Sequence, residues 1–222
     1  MEPLELDLIA RLKKLSTTNV SDALDKLGLR SGIIGILPIW DCPKIVGRAV
    51  TVKITAAGLT LSKHHLGTQA VNTAAAGDVI IIDNGGRTDV SCWGGILATA
   101  AQVKGIAGVV IDGACRDVDD FVELGFPVYA RNPVPVTARG RVIEEAFNIL
   151  IQCGGVQVRP ADYVIADRSG VCIVPQEKVT EIIEIAEQLY QKEEMMMAEL
   201  KRGVNVIDVD AKFSYETMLK PK

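Results

Sequence analysis

Histidine is scarce in this chain: His64 and His65 are the only two in 222 residues. Adjacent residues point to different faces of either a helix or a strand, so the two make a poor metal site. They read as a surface pair, or as one ring directed at the edge of a pocket. The five cysteines (Cys42, Cys92, Cys115, Cys153, Cys172) contain no CxxC pair. An odd, scattered set excludes a zinc framework and points to reduced thiols in a cytoplasm. Cys92 and Cys115 have no histidine beside them in sequence and read as small packing residues rather than nucleophiles. No uninterrupted apolar run reaches the ~18 residues that a membrane span needs. Basic residues are in deficit, 24 Lys and Arg against 28 Asp and Glu, and the net charge of −4 argues against broad nucleic-acid binding. The start, MEPLELDLIARLKKL, is acidic and amphipathic, unlike a secretory signal. Internal repeats, low-complexity tracts and linkers are also lacking, so residues 1–222 read as one domain, large enough to bury a substantial core.

What is present is concentrated between Gly77 and Phe126. Asp78 to Asp83 is a β-branched run closed by Asn84-Gly85-Gly86, the pattern of a buried strand ending in a glycine-rich loop. Ile96 to Lys104 has helical spacing with Gly105 as its stop, and Val109-Val110-Ile111 is a second buried strand. Two loops then emerge at the carboxyl ends of adjacent parallel strands, where open α/β sheets place ligands.

Elsewhere, Leu4 to Leu15 reads as an amphipathic helix. A second runs to Leu27, capped by one of Ser16 to Asn19 or by Ser21 and ended by Gly28. Asp22 reads as a dipole partner of that helix. Leu37 to Ile54 looks like β structure, with half-buried alternation over Arg48 to Ile54. Lys63-His64-His65 leads into a helix-like Thr68 to Ala75. A short strand at Pro127 to Ala130 precedes an extended connector, Arg131 to Arg141, whose Arg139-Gly140-Arg141 reads as a solvated turn. A hairpin is expected around Gly154-Gly155, and two strands around Ser169-Gly170. Glu177 to Arg202 forms a long helix stopped by Gly203, and its Met195-Met196-Met197 suits a partner subunit. The fold class is α/β, with a β-rich core, βαβ crossovers and terminal helices outside.

Two features carry chemistry. Gly94-Gly95-Ile96-Leu97 opens a helix whose free N–H groups and dipole suit an anion. The spacing is neither GxGxxG nor a P-loop, so a carboxylate fits better than a polyphosphate. Arg116-Asp117 follows the second strand. An Asp there can hold a divalent cation by hard oxygen ligation, and an Arg can stabilise the enolate of a 2-oxo acid. A plain salt bridge at a helix N-terminus is the competing reading. No lysine in these loops is placed for a Schiff base, and Lys104 reads as a helix C-terminal partner.

SDALDKLG, GDVIIID, WGGILATAA, GVVIDGACRDVDDFVELGFPV and GGVQVRPADYVIADRSGVCIVP together resemble the family of the regulator of ribonuclease activity A and the metal-dependent 4-hydroxy-4-methyl-2-oxoglutarate aldolases. The resemblance implies a central mixed sheet in an α-β-β-α sandwich of the swivelling β/β/α kind. It implies a lyase that releases pyruvate from a 4-hydroxy-2-oxo diacid and decarboxylates oxaloacetate, with Mg²⁺ or Mn²⁺. Arg116 would stabilise the enolate, Asp117 would bind metal, and Gly94, Gly95, Ile96 and Leu97 would bind substrate. The implied assembly is a homotrimer or hexamer in which Glu193 or Glu194 of a neighbouring subunit reaches the metal shell. The family's acidic residue twenty residues before Arg-Asp is Gly95 here, and Asp89 or Asp120 is the candidate replacement. Some members instead bind an RNA-degrading enzyme without catalysis. A different oxo-acid substrate is the third reading, with His64, His65 or Arg87 meeting it. Nothing resembles a methyl-donor site.

Overall fold

Ser16 separates the first two helices. A computed structural model describes residues 3–30, 32–61 and 64–214, so Lys63 lies outside the described residues. Pro3–Leu12 (α1) is followed by Thr17–Lys26 (α2). Ser16 Oγ accepts from the Asn19 N–H at 3.1 Å, while Asn19 Oδ1 accepts from the Ser16 N–H at 3.2 Å, a reciprocal capping box. Gly28, at φ 67°, ends α2.

Short strands Gly32–Ile33 (β1) and Leu37–Pro38 (β2) precede the long Ile45–Ala56 (β3). Thr68–Thr73 (α3), Val79–Ser91 (β4), Gly95–Val103 (α4), Gly108–Cys115 (β5), Val118–Leu124 (α5) and Val128–Pro133 (β6) follow. The remainder comprises Val142–Phe147 (β7), Ile151–Cys153 (β8), Val156–Val158 (β9), Tyr163–Asp167 (β10), Gly170–Val174 (β11), Val179–Lys201 (α6) and Val206–Phe213 (α7).

Strands β3 to β6 are parallel neighbours joined by helical crossovers, and antiparallel strands extend both edges. The order is β1-β11-β10-β3-β4-β5-β6-β2, with β7 sharing the β10 side of β3. The sheet curls, because Tyr129 on β6 donates its hydroxyl to Ala166 O on β10 at 3.1 Å although three strands separate them in the order. Its inner face packs Ile45, Ile81, Val110, Val164 and Ile173 around the β8–β9 hairpin. On one outer face α3, α4 and α5 cover Val52, Ile82, Val109 and Ile111. On the other, α1, α2 and α6 cover Ile165, Cys172 and Val174. This is the expected α-β-β-α arrangement of a mixed α/β fold. Arg11 fastens α1 to α6 through a bidentate pair with Glu187, at 2.9 and 2.7 Å.

A row of charges crosses the parallel strands at one level. Lys53, Asp83 and Asp112 are register partners on β3, β4 and β5. Lys53 Nζ meets Asp83 Oδ2 at 2.6 Å, and Arg131 Nε meets Asp112 Oδ1 at 2.6 Å. The two buried carboxylates also accept from the hairpin, Asp83 from the Gln152 N–H at 3.3 Å and Asp112 from the Gly154 N–H at 2.7 Å. They therefore tie the β8–β9 hairpin to the sheet.

Several local expectations are corrected. The half-buried alternation over Arg48 to Ile54 is overturned: β3 is central, so its apolar residues from Ala49 to Ile54 are buried on both faces. The β structure expected across Leu37 to Ile54 is two strands with a gap. The loop expected after Asp83 is a bulged continuation of β4, in which Gly85 and Gly86 take φ 62° and 71° while pairing with β5 shifts register. The Arg131 to Arg141 connector is strand as far as Pro133. Strands β1 and β7 and helix α7 are additional to the elements that the sequence pattern marks.

Candidate active site

The ends of β4 and β5 bring the two chemical motifs together. After β5 the Arg116 N–H donates to Trp93 O at 3.0 Å, locking the turn beside the start of α4. Asp117 sits in the left-handed region at φ 63° and ψ 47°, which Asp tolerates better than most residues. Its Oδ2 accepts from the Gly95 N–H at 3.0 Å and lies 3.3 Å from Arg116 Nε. Both side chains remain partly open to solvent, 34% for Arg116 and 38% for Asp117.

A side chain at either residue opening α4 would displace an acidic group of the site from its present position. A Cβ at Gly94 would lie 2.5 Å from Asp117 Oδ2 and 3.3 Å from Arg116 Nε. A Cβ at Gly95 would lie 1.9 Å from Asp120 Oδ2. The Asp120 carboxylate thus stands where a side chain at 95 would begin. The N-cap residue Gly94 has no side chain to cap α4, whose first internal bond runs from the Ala98 N–H to Gly94 O at 3.1 Å. With the Gly95 N–H given to Asp117, those of Ile96 and Leu97 are the first-turn donors left for an anion.

Gly94, Ile96, Leu97, Arg116, Asp117 and Asp120 line a pocket of about 160 Å³ together with Trp93, His65 and Arg139, whereas Gly95, expected to bind substrate, is buried and does not line it. The adjacent histidines diverge, since His64 lines a separate groove of about 840 Å³ with Glu144 and Glu145. Of the other candidates, Arg87 donates to Asn84 O at 2.8 Å, Asp89 does not line the pocket, and Lys104 Nζ donates to Val71 O at 2.9 Å and to Asn72 O. Glu193 accepts from Asn19 Nδ2 at 2.8 Å and Glu194 is exposed, both on α6 in the other helical layer. Neither lines this pocket within one subunit. Asp22 faces Glu193, and burial first, then the charges of Glu193 and Asp25, raise its carboxyl above the usual range.

All five cysteines are buried and unpaired. Burial pushes the Cys115 thiol up to about 12 and that of Cys92 higher still, so neither supplies a thiolate nucleophile. Among the described residues no group of three or more His, Cys, Asp and Glu is gathered for a metal. The pocket does offer two carboxylates, Asp117 and Asp120, with open space for water. That donor set suits Mg²⁺, which keeps much of its water shell and takes one or two protein carboxylates. Sequence reasoning missed Arg139 as a pocket residue, because its Arg-Gly-Arg turn carries no local sign of the neighbour that folding provides.

The family model described as RraA-like, Aldolase/RraA, matches residues 17–173. A Halalkalibacterium halodurans protein named "Putative 4-hydroxy-4-methyl-2-oxoglutarate aldolase" is 34% identical over 188 residues, covering 85% of this chain and 86% of that protein. A crystal structure of an uncharacterized Pseudomonas syringae protein superposes with a TM-score of 0.84 at 28% identity, covering 94% of this chain and 99% of the other. That of Streptomyces coelicolor RraAS2, described as an unusual member of the RNase ES inhibitor RraA protein family, gives 0.78 at 28% identity, with 85% and 94% covered. The match over most of the chain, on a fold shared end to end, means that this protein belongs to the RraA-like (Aldolase/RraA) family.

Proposed function

We propose that the protein is a divalent-metal-dependent lyase that cleaves a 4-hydroxy-2-oxo diacid to pyruvate and decarboxylates oxaloacetate. The observation that carries this reading is the convergence of Arg116 and Asp117 on the N-terminus of α4. Asp117 would hold Mg²⁺ or Mn²⁺, and Asp120 would reach its water shell in place of the acidic residue missing at 95. When bound, the cation supplies Lewis-acid polarisation of the 2-oxo group.

The chain's own groups do the rest. The Ile96 and Leu97 N–H groups receive the carboxylate next to the keto group, where the helix dipole favours negative charge. Arg116 donates to the keto oxygen and stabilises the charge that gathers there as the C3–C4 bond breaks. In the aldol substrate the C4 hydroxyl loses its proton and becomes a carbonyl. In oxaloacetate the same bond breaks with loss of CO₂. Both routes leave the enolate of pyruvate, and one proton on C3 completes the product, so one site serves both reactions.

The assembly belongs to the same reading. Met195, Val206 and Ile207 are exposed on α6 and α7, at 54%, 64% and 73%, and suit burial in a homotrimer or hexamer. There Glu193 or Glu194 of one subunit would approach a neighbour's metal shell. The test is pyruvate release from oxaloacetate and from 4-hydroxy-2-oxoglutarate, with and without Mg²⁺. Full activity in excess EDTA, or in Asp117→Ala, sinks the mechanism. A second reading, non-catalytic binding to an RNA-degrading enzyme, is favoured by the likeness to the Streptomyces protein. Capture of a ribonuclease by a chain that releases no pyruvate would decide for it.

A further inference from the structure

The pocket holds more hydrogen-bond donors than the 2-oxo head needs. Arg116 answers the keto oxygen and the start of α4 answers the adjacent carboxylate, which leaves Arg139 and His65 without a task in that chemistry. Neither belongs to the motifs that carry the head-group contacts. Arg139 lies between β6 and β7, and His65 in the segment before α3.

Both segments are braced. The Gly67 N–H donates to Glu144 Oε2 on β7 at 2.7 Å, and Thr68 Oγ1 donates to His65 O at 2.7 Å. A Cβ at Gly67 would stand 3.3 Å from the Trp93 ring, so this segment lies directly against the pocket wall. On the other segment, Ser91 donates to Val136 O through its N–H at 3.0 Å and its hydroxyl at 2.6 Å, fixing the approach to residue 137. Arg141 Nη1 donates to Thr137 O at 3.3 Å and Arg139 O at 3.5 Å. It is therefore Arg141 that stabilises the turn.

The Arg139 guanidinium has no hydrogen-bond or ion-pair partner among the described residues, and neither does the His65 ring. The other arginines of this end of the sheet are committed, Arg131 to Asp112 and Arg87 to Asn84 O. An unpaired guanidinium and an imidazole N–H lining one small pocket are donors matched to a second carboxylate.

We infer that Arg139 and His65 form the subsite for the distal carboxylate of the substrate, and so select 2-oxo diacids over 2-oxo monoacids. The inference rests on the lyase reading and adds the residues that set its substrate class. Arg139 is the principal anchor, because its planar fork binds a carboxylate through two parallel hydrogen bonds. His65 contributes one.

The test compares two ligands of equal chain length, 2-oxoglutarate and 2-oxopentanoate, binding to the full chain in Mg²⁺ by calorimetry, with pyruvate as the reference for the head-group site. Wild type is expected to bind the diacid roughly tenfold more tightly, as suits one charge-assisted pair near the surface. In Arg139→Gln that ratio collapses toward one through weaker diacid binding, and Arg139→Lys retains part of it. The side chain is exposed, so these variants are expected to fold. Pyruvate binding together with a wild-type ratio near one, or a ratio unchanged in Arg139→Gln, overturns the subsite and leaves the lyase reading standing. If neither pyruvate nor either ligand binds, both fall together.

Discussion

Asp120 and Gly95 share one space: the Asp120 Oδ2 lies 1.9 Å from where a Cβ at residue 95 would be. A side chain rooted at 95 therefore turns the Asp120 carboxylate out of the place it now occupies. Asp120→Ala is expected to lower pyruvate release by on the order of tenfold to a hundredfold, the usual size for a lost charged group at a metal-assisted site. Gly95→Asp alone should also be impaired, because the new side chain turns the Asp120 carboxylate away from its present position. The combination Gly95→Asp with Asp120→Ala should recover activity above either single variant. Strict additivity of the two losses would show that the residues do not stand in for one another.

Asp117 joins an unusual backbone conformation to a charge. Asn tolerates the left-handed region and can still accept from the Gly95 N–H, so Asp117→Asn should melt close to wild type. It should nonetheless lose at least about a hundredfold in pyruvate release, since the carboxylate is gone. Asp117→Val strains the same position and should cost about 1–2 kcal/mol in urea unfolding. An Asn variant that keeps full activity would remove Asp117 from the metal site.

The pair between Arg11 and Glu187 makes an acid-sensitive fastening. The side-chain hydrogen bond from Arg11 holds the Glu187 carboxyl below its ordinary value. Its stabilisation is therefore complete above the unfolded carboxyl's titration, near pH 4.5, and is lost as pH falls through the lower folded value. Both groups are partly exposed, so Glu187→Gln should cost only about 0.5–1 kcal/mol at pH 7. That difference should shrink in denaturant titrations as pH is lowered below about 4.5.

Across the sheet, Asp112 carries both Arg131 and the Gly154 N–H. Asp112→Ala leaves a guanidinium that is mostly covered and an unpaired hairpin N–H, at a cost of about 2–4 kcal/mol. Amide exchange at Gly154 should speed up more than exchange in α6. Equal changes at both would mean a general loss of stability rather than release of the hairpin.

Much of this was legible in the sequence where the determinants are local. The stops at Gly105 and Gly203 and the two β-branched runs behind the site needed only neighbours along the chain. So did Gly94, Arg116 and Asp117, each beside an element end, whereas Ser16 was one of several polar residues able to cap α2. The charge row was hidden, because Lys53, Asp83, Asp112 and Arg131 meet only once strand register is set. The bulged β4 was hidden for a related reason: paired glycines signal a loop unless a partner strand keeps the backbone extended. Helix α7 is only eight residues long and largely exposed, so its amphipathic pattern spans barely two turns. The meeting of His65 with Arg139 depends on the packing of two segments more than seventy residues apart.

The five enclosed sulfhydryls give the molecule a built-in record of its own opening. They are spread through every hydrophobic layer, with Cys92 and Cys115 under the helices of the pocket, Cys172 under α2, and Cys42 and Cys153 inside the curl. An alkylating reagent at neutral pH should leave the closed fold unlabelled, and the order in which the five sites become modified should report which layer parts first.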